Sequence, residues 1–130
     1  MKIESLDHLV LTVASIEITC AFYAEVMGMR VETFAESRKA LHFGDQKINL
    51  HLAGQEFEPK ADKPVPGSAD LCFITRTPIA EVVKTLNARK IDIIQGPVSR
   101  TGANGALESV YFRDPDENLI EVSNHVGNTN

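Results

Sequence analysis

Four ionisable side chains interrupt otherwise apolar segments of the chain: His8, His51, Asp70 and Glu121. An unpaired ionisable group within such a segment lowers stability, so each of these side chains is expected to have a hydrogen-bonding or ionic partner or a functional role. Imidazoles and carboxylates are the ligands that divalent transition metals commonly take in proteins. The residue types therefore predict a metal site, provided that the fold brings the side chains together. Taken singly, each residue is equally typical of a half-exposed strand position or a surface carboxylate.

An internal repeat is what would position these side chains. Each half of the chain is predicted to run strand, helix, strand, strand, strand. The expected strands cover residues 7–13, 30–35, 39–43 and 47–52 in the first half, and 70–74, 91–94, 107–112 and 118–122 in the second. In this alignment Asp7-His8 corresponds to Ala69-Asp70, and His51 falls opposite Glu121. If the halves pair about a pseudo-twofold axis, the polar residues converge.

Local signals set the ends of the predicted elements. Ser15 is expected to cap the first helix, and Thr77-Pro78 is expected to start the second. Residues 53–68 are rich in proline and charge and predict a linker. A glycine-containing loop is expected over residues 100–106, and the tail from Asn124, including His125, is expected to fray. Alternation places Ser109, Tyr111 and Arg113 on one face of their strand.

Composition excludes several classes of protein. The 130 residues suit one domain, and the hydrophobic and charged fractions of 43% and 24% are those of a globular protein. A net charge of −5 with scattered basic residues argues against nucleic-acid or anionic-membrane partners. No apolar stretch approaches the roughly 20 residues needed to span a bilayer, and no signal peptide is evident, so a cytoplasmic location is expected. Cys20 and Cys72 are expected to be buried and reduced.

Three sequence motifs resemble the vicinal-oxygen-chelate (glyoxalase, bleomycin resistance and dioxygenase) superfamily. Residues 109–122, SVYFRDPDENLIEV, are similar to the closing hairpin of that family, in which a D-P-(D/E)-(G/N) turn precedes a strand bearing a metal-binding Glu. Residues 6–11, LDHLVL, resemble the opening strand with its metal-binding His. Residues 46–51, QKINLH, together with residues 57–61 and 64–68, are most similar to glyoxalase domain-containing protein 5 and its bacterial relatives. The resemblance covers residues 5–123.

The resemblance implies an α+β fold in which two βαβββ modules form a curved mixed sheet around a metal-binding cup. The modules would span about residues 5–53 and 69–123 of a single domain, with residues 54–68 as the linker, usually in a homodimer. It implies His8, His51 and Glu121 as ligands of a divalent ion, with nickel, zinc, manganese, cobalt and iron all open. Asp70 departs from the family pattern, whose residue here is His, Gln or Glu. The sequence therefore leaves three roles for Asp70 undecided: it could bind the metal through a water molecule, act as a base, or do neither.

For function, the resemblance implies a metal-dependent lyase or isomerase of the glyoxalase type. Glu121, or alternatively Asp70, would remove a proton α to a carbonyl of a small substrate with two adjacent oxygens, as in lactoylglutathione lyases. Side chains expected to bind the substrate are Ser109, Tyr111, Arg38 and Arg100, the arginines through their planar forks. Arg113 is expected to pair with Asp116 in the turn, and His42 to be structural.

Three alternatives stay open at this point. An epoxide-opening enzyme of the fosfomycin-resistance type would use the same metal. A dimeric drug-binding module of the bleomycin-binding type would need no metal, and its relatives usually lack the ligands found here. An extradiol dioxygenase would need iron on two His and one Glu, but such enzymes are commonly larger.

Overall fold

The computed structural model describes residues 1–127, which form an α+β fold of two compact units. We call residues 1–68 module one and the residues from Ala69 onward module two. Module one consists of β1 (His8–Val13), α1 (Ile16–Glu25), β2 (Arg30–Phe34), β3 (Arg38–Phe43) and β4 (Gln46–Leu52). Module two consists of β5 (Asp70–Ile74), α2 (Ile79–Ala88), β6 (Gln95–Gly102), β7 (Gly105–Arg113) and β8 (Leu119–His125). The predicted order of strand, helix and three strands is confirmed in both halves.

Each module has one four-stranded mixed sheet, ordered β1-β4-β3-β2 in module one and β5-β8-β7-β6 in module two. The first and last strands of each module pair in parallel, and the other neighbours are antiparallel. None of the helices within residues 1–127 is long and apolar enough to cross a membrane.

In module one, strand alternation separates an apolar face from a polar one. Leu11, Leu41, Ile48 and Leu50 are buried on the α1 side of the sheet. Ser15 caps α1 as predicted, because its hydroxyl accepts the N–H of Ile18 at 3.2 Å. The opposite face of β1 and β4 is mainly polar and carries His8, Val10 and Thr12 opposite Lys47, Asn49 and His51.

In module two, Val110, Phe112 and Ile120 are buried on the side of the sheet that α2 covers. The first N–H of α2, that of Ile79, donates to Oδ1 of Asn124 at 2.8 Å, so a side chain of β8 caps this helix. The opposite face carries the positions in register across β5, β8 and β7: Asp70, Cys72, Leu119, Glu121, Ser123, Ser109, Tyr111 and Arg113.

The second strand of module two, β6, differs from its prediction. Residues 91–94 are not a strand; β6 begins at Gln95 and contains Arg100, which was expected in a loop and instead pairs with Leu107. A register shift between Gln95 and Val98 absorbs Gly96-Pro97, which would otherwise interrupt the ladder. Gly96 has a φ of +115°, and a Cβ there would lie 2.4 Å from the carbonyl oxygen of Ser109, so only glycine fits this bulge.

Two further expectations were wrong. The chain does not fray at Asn124, because β8 continues through His125 and the Asn124 amide donates to the carbonyls of Thr75 and Thr77 at 2.8 Å. The rest of the predicted frayed tail, residues 128–130, lies outside the described residues. Cys72 is exposed rather than buried, since it occupies the polar face of β5, and Cys20 is only half-buried.

The register also corrects the alignment of the two halves. When His8 is matched to Asp70, as in the sequence alignment, Val10 of β1 corresponds to Cys72 of β5. Val10 pairs with Asn49 on β4, and Cys72 pairs with Glu121 on β8. Asn49 is therefore the counterpart of Glu121. His51, which lies two residues further along β4, is therefore the counterpart of Ser123 and not of Glu121.

Candidate functional site

His8 lies at the start of β1 with 43% of its side chain exposed. Its Nδ1 lies 2.8 Å from Oδ2 of Asp7, which favours a proton on Nδ1 and leaves the lone pair of Nε2 available. Metal-binding histidines commonly have this arrangement, in which a carboxylate holds the ring nitrogen that does not bind the ion. The surroundings of His8 therefore fit a metal ligand.

His51 has opposite surroundings, because it is buried and its Nε2 lies 3.4 Å from Nη2 of Arg38. A guanidinium group can only donate, so Nε2 accepts and the neutral ring carries its proton on Nδ1. Burial lowers the pKa of His51 below its ordinary value, and the positive charge of Arg38 lowers it further. His51 is thus a neutral imidazole whose Nε2 lone pair is already occupied.

The structure does not bring His8 and His51 together. His51 pairs with Thr12, four positions along β1 from His8, which is a separation of about 13 Å along the strand. A divalent ion at Nε2 of His51 would also meet the guanidinium of Arg38. Among residues 1–127 no group of three or more His, Cys, Asp and Glu side chains is close enough to hold a metal ion. The metal site formed by His8, His51 and Glu121 stays a prediction. The surroundings of His8 suit a metal ligand, whereas those of His51 do not.

Module one contains a cavity of about 380 Å³ beside His51. Its walls are formed by Val10, Thr12, His51, Pro59, Lys60, Ala61 and Pro64. Next to His51, the guanidinium of Arg38 stacks over the ring of Phe57, 4.4 Å from its centroid, and lies 5.1 Å from that of Phe34. Arg38 was predicted to bind substrate, and the structure places it against this cavity's buried histidine.

Module two contains a second cavity, of about 310 Å³. Its walls are formed by Cys72, Ile74, Arg100, Thr101, Gly102, Ala103, Asn104, Leu107, Glu121 and His125. Two of the predicted site residues, Glu121 and Arg100, therefore share one cavity. Nε of Arg100 donates to the hydroxyl of Tyr111 at 2.9 Å, and Tyr111 is the ladder partner of Glu121. These contacts hold a cation close to the carboxylate-bearing strand.

Glu121 is held by a chain of hydroxyl groups. Oε2 of Glu121 accepts from the hydroxyl of Ser123 at 3.3 Å, and Ser123 lies 2.6 Å from the hydroxyl of Ser109. Both serines are completely buried, and Ser109 lies against the residue that holds Glu121. The substrate contact expected of Ser109 stays a prediction. In the described part of the chain Glu121 forms no ion pair.

Cys72 is the ladder partner of Glu121, and sequence reasoning did not place it in the site. Although Cys72 as a residue is exposed, partial desolvation of its thiol raises the pKa of that thiol, and the nearby negative charge of Glu121 also raises it, while a hydrogen bond with Ser123 lowers it. A raised pKa keeps the thiol protonated at neutral pH, the form in which a cysteine is a poor nucleophile.

The remaining predicted residues lie elsewhere. Asp70 is exposed at the start of β5, two positions before Cys72, and is not in the cavity wall. Arg113 donates to the backbone carbonyl of Glu117 at 3.4 Å rather than pairing with Asp116. His42 binds Glu32 at 2.7 Å and is structural as expected; this hydrogen bond holds the pKa of Glu32 below its usual value.

Asn49 is a residue that sequence reasoning missed. It is 7% exposed, its Oδ1 is buried without a hydrogen-bond partner among the described residues, and it lies on the polar face as the counterpart of Glu121. The sequence contained an indication of this role, because Asn49 is a polar residue at the centre of an apolar strand. Burying its amide there lowers stability unless the amide binds a partner or has a functional role.

Comparison with known proteins identifies relatives of high similarity. Virulence protein STM3117 of Salmonella typhimurium is 59% identical over 126 residues, which cover 97% of this chain and 88% of that protein. Its crystal structure matches with a TM-score of 0.95 over 97% of this chain and all of that one. Glyoxalase domain-containing protein RDO1 of Mycosarcoma maydis is 52% identical over 125 residues, covering 96% of this chain and 70% of that protein.

More distant structures share the fold alone. A lactoylglutathione lyase from Agrobacterium tumefaciens matches with a TM-score of 0.72 at 22% identity, over 95% of this chain and 96% of that one. The antibiotic-binding protein TnmS3 from Streptomyces sp. CB03234 matches with a TM-score of 0.73 at 20% identity, over 97% and 99%. The family model of the Glyoxalase/Bleomycin resistance protein/Dioxygenase superfamily matches residues 5–122, and the chain belongs to that superfamily.

Proposed function

We propose that this protein is a metal-dependent lyase or isomerase of the glyoxalase type, acting on a small substrate with two adjacent oxygens. The observation that carries the proposal is the Glu121 carboxylate in the wall of the module-two cavity. Glu121 has one oxygen held by Ser123 and no cation paired to it among residues 1–127. A carboxylate that is oriented but not neutralised remains available as a base or a ligand.

His8 and Glu121 are the ligands that we propose for a divalent ion, which could be nickel, zinc, manganese, cobalt or iron. Nε2 of His8 retains its lone pair because Asp7 holds the other ring nitrogen. Such an ion would polarise the neighbouring substrate oxygens as a Lewis acid, an effect worth several kcal/mol.

The chain's own residues perform the proton transfer in this proposal. Glu121 takes a proton from the carbon α to the substrate carbonyl, exchanges it with solvent and gives a proton to the former carbonyl carbon, while the hydroxyl proton of the first carbon moves to the oxygen of the second. The Ser123 hydroxyl holds one carboxylate oxygen, so the other faces the substrate. Arg100, fixed by Tyr111, binds an anionic group of the substrate. A positioned base of this kind contributes about 10²–10⁴-fold to the rate.

The test is turnover of the methylglyoxal–glutathione hemithioacetal in D₂O, with the product analysed by NMR and the metal content of each preparation measured. We expect deuterium at the carbon that receives the proton, and a kcat/KM about 100-fold lower or more for Glu121→Gln. Glu17→Gln is the matched control, because Glu17 is an exposed residue of α1, and it should retain full turnover.

Asp70→Asn separates the two candidate bases. Normal turnover in this variant leaves Glu121 as the base, whereas normal turnover in both Glu121→Gln and Asp70→Asn would contradict the proposal. Protein that binds no metal and turns over neither the hemithioacetal nor fosfomycin would favour a binding module. The homodimer implied by the family resemblance stays a prediction, which light scattering tests as twice the monomer mass.

A further inference from the structure

The cavity of module one is not used by the proposed chemistry, although it is built from specific residues. Its walls are mainly apolar, since Val10, Pro59, Ala61 and Pro64 contribute four of the seven lining residues. The polar lining comes from Thr12, His51 and Lys60. Its volume of about 380 Å³ lies within the range of roughly 300–1,000 Å³ that is usual for small-molecule sites.

His51 offers a hydrogen-bond donor in this wall. Because Arg38 donates to Nε2, the ring proton is on Nδ1, and the structure shows no acceptor for it among residues 1–127. Although His51 as a residue is buried, it lines the cavity and its Nδ1 is not among the buried atoms that lack a partner, so this N–H is accessible to a bound molecule that offers an acceptor.

Thr12 offers a second donor beside the first. It is the ladder partner of His51 and lines the same cavity, so the two side chains project from adjacent strands roughly 5 Å apart. Within the described chain, the Thr12 hydroxyl has no hydrogen-bond partner. Two neighbouring donors of this kind match the two oxygens of a carboxylate.

The local charge favours an anion over a neutral molecule. Arg38 has no carboxylate within ion-pair distance among residues 1–127, and its Nε is buried without a partner. Lys60, by contrast, is already bound to Glu56 and Glu58, at 3.6 and 3.5 Å. Glu56 is further satisfied by the N–H of Gly54 at 2.8 Å. The guanidinium of Arg38 is therefore the uncompensated charge next to the cavity.

We propose that the module-one cavity binds the carboxylate of a small organic acid, with Thr12 and the Nδ1–H of His51 as its donors and the hydrocarbon part against Val10, Pro59 and Pro64. Arg38 is a positioning residue here: it selects the donor tautomer of His51 and supplies the favourable charge. Because the proposal concerns binding alone, it does not depend on the proposed lyase activity.

The experiment is a titration of the isotope-labelled full chain with benzoate, and in parallel with benzamide, which has the same shape without the charge. We expect saturable NMR shifts at Thr12, His51 and Lys60 with benzoate, and binding at least tenfold weaker with benzamide. Thr12→Val should weaken benzoate binding at least fivefold, whereas Thr12→Ser, which keeps the hydroxyl, should restore it. Thr85→Val, on the exposed side of α2, should leave it unchanged.

Several outcomes would overturn the proposal. These are equal affinity for benzoate and benzamide, undiminished binding to Thr12→Val, or the absence of saturable shifts in the module-one cavity. Benzoate shifts confined to the surroundings of His8 and Glu121 would indicate a carboxylate on a metal and would also overturn it. The same spectra report whether each variant is folded, and a His51 ring protonated on Nε2 rather than Nδ1 would contradict the assigned donor.

Discussion

His8 and His51 are identical side chains whose neighbours give them different chemistry. A carboxylate beside Nδ1 of His8 leaves Nε2 ready to bind a cation. A guanidinium beside Nε2 of His51 occupies the lone pair that a metal would need. The first histidine therefore suits a metal ligand, and the second suits a hydrogen-bond donor to an anion.

Protonation of His51 should make stability depend on pH. Burial, and secondly Arg38, hold the pKa of His51 below its ordinary value of about 6.5, while the charges of Glu56 and Lys60 act in opposite directions. Below that ordinary value the unfolded chain binds the proton more readily than the folded chain, so the free energy of unfolding falls as the pH drops from 7. We expect His51→Gln to flatten this dependence in urea denaturation between pH 7 and 5.5.

The control for this measurement is His125→Gln, which removes an exposed histidine. An unchanged slope in His51→Gln, or the same flattening in His125→Gln, would show that His51 is not responsible.

At the scale of elements, the most family-specific motif of the sequence proves to be a turn built from hydrogen bonds. Oδ1 of Asp114 accepts the N–H groups of Asp116 and Asn118, at 2.9 and 3.0 Å. The Asn118 amide donates to Oδ2 of Asp114 at 2.8 Å, and its oxygen accepts the N–H of Ala69 at 2.9 Å. The turn thus joins β7 to β8 and ties the start of β5 to them, which positions the strand carrying Glu121.

Asn118→Ala should be strongly destabilising, because Asn118 is 1% exposed and its loss leaves an N–H and a carboxylate oxygen without these partners. At about 1–3 kcal/mol for each of the two unsatisfied groups, we expect the free energy of unfolding to fall by roughly 2–6 kcal/mol. Chemical denaturation measures this loss, with Asn87→Ala, at an exposed residue of α2, as the control that should change little. A loss below 1 kcal/mol in Asn118→Ala would contradict this role.

At the scale of the whole molecule, one plan is used twice with different polar faces. The module-one cavity is lined by His51, which contacts Arg38, whereas the module-two cavity is lined by Glu121, Cys72 and Arg100. Since a lactoylglutathione lyase and an antibiotic-binding protein share this fold at 20–22% identity, the fold does not choose between catalysis and binding. The polar faces do.

Added metal should therefore stabilise the whole chain. An ion at 100 times its Kd raises the free energy of unfolding by about 2.7 kcal/mol, which a thermal-shift assay with nickel, zinc, manganese or cobalt detects. We expect His8→Ala and Glu121→Ala to abolish the shift, and His51→Gln to retain it. The matched control is His42→Gln, which removes a histidine bound to Glu32 and should also retain it.

If His51→Gln loses the metal-dependent shift as completely as His8→Ala, then His51 belongs to the metal set and the assignment from its surroundings is wrong. If no metal shifts the wild-type chain, the metal proposal fails for both remaining ligands.

Much of the fold could be predicted from the sequence because alternation reports burial directly. The strand Asp70–Ile74 was predicted to the residue, and Ser15 caps α1 as expected. The prediction failed at β6, where a bulge lets Gly96-Pro97 lie inside a strand. Glycine and proline ordinarily mark the end of a strand, so no local signal could have shown this.

The sequence by itself determined which elements form, which face of each strand is polar, and the family to which the chain is similar. Only the tertiary structure decided which polar residues are neighbours. A one-residue slip in register moves every side chain to the other face, but a two-residue slip preserves every face and so leaves alternation unchanged. Asn49 and His51 differ by such a step. The guanidinium that changes the chemistry of His51 comes from Arg38, which lies thirteen residues earlier in the sequence, on the neighbouring strand β3.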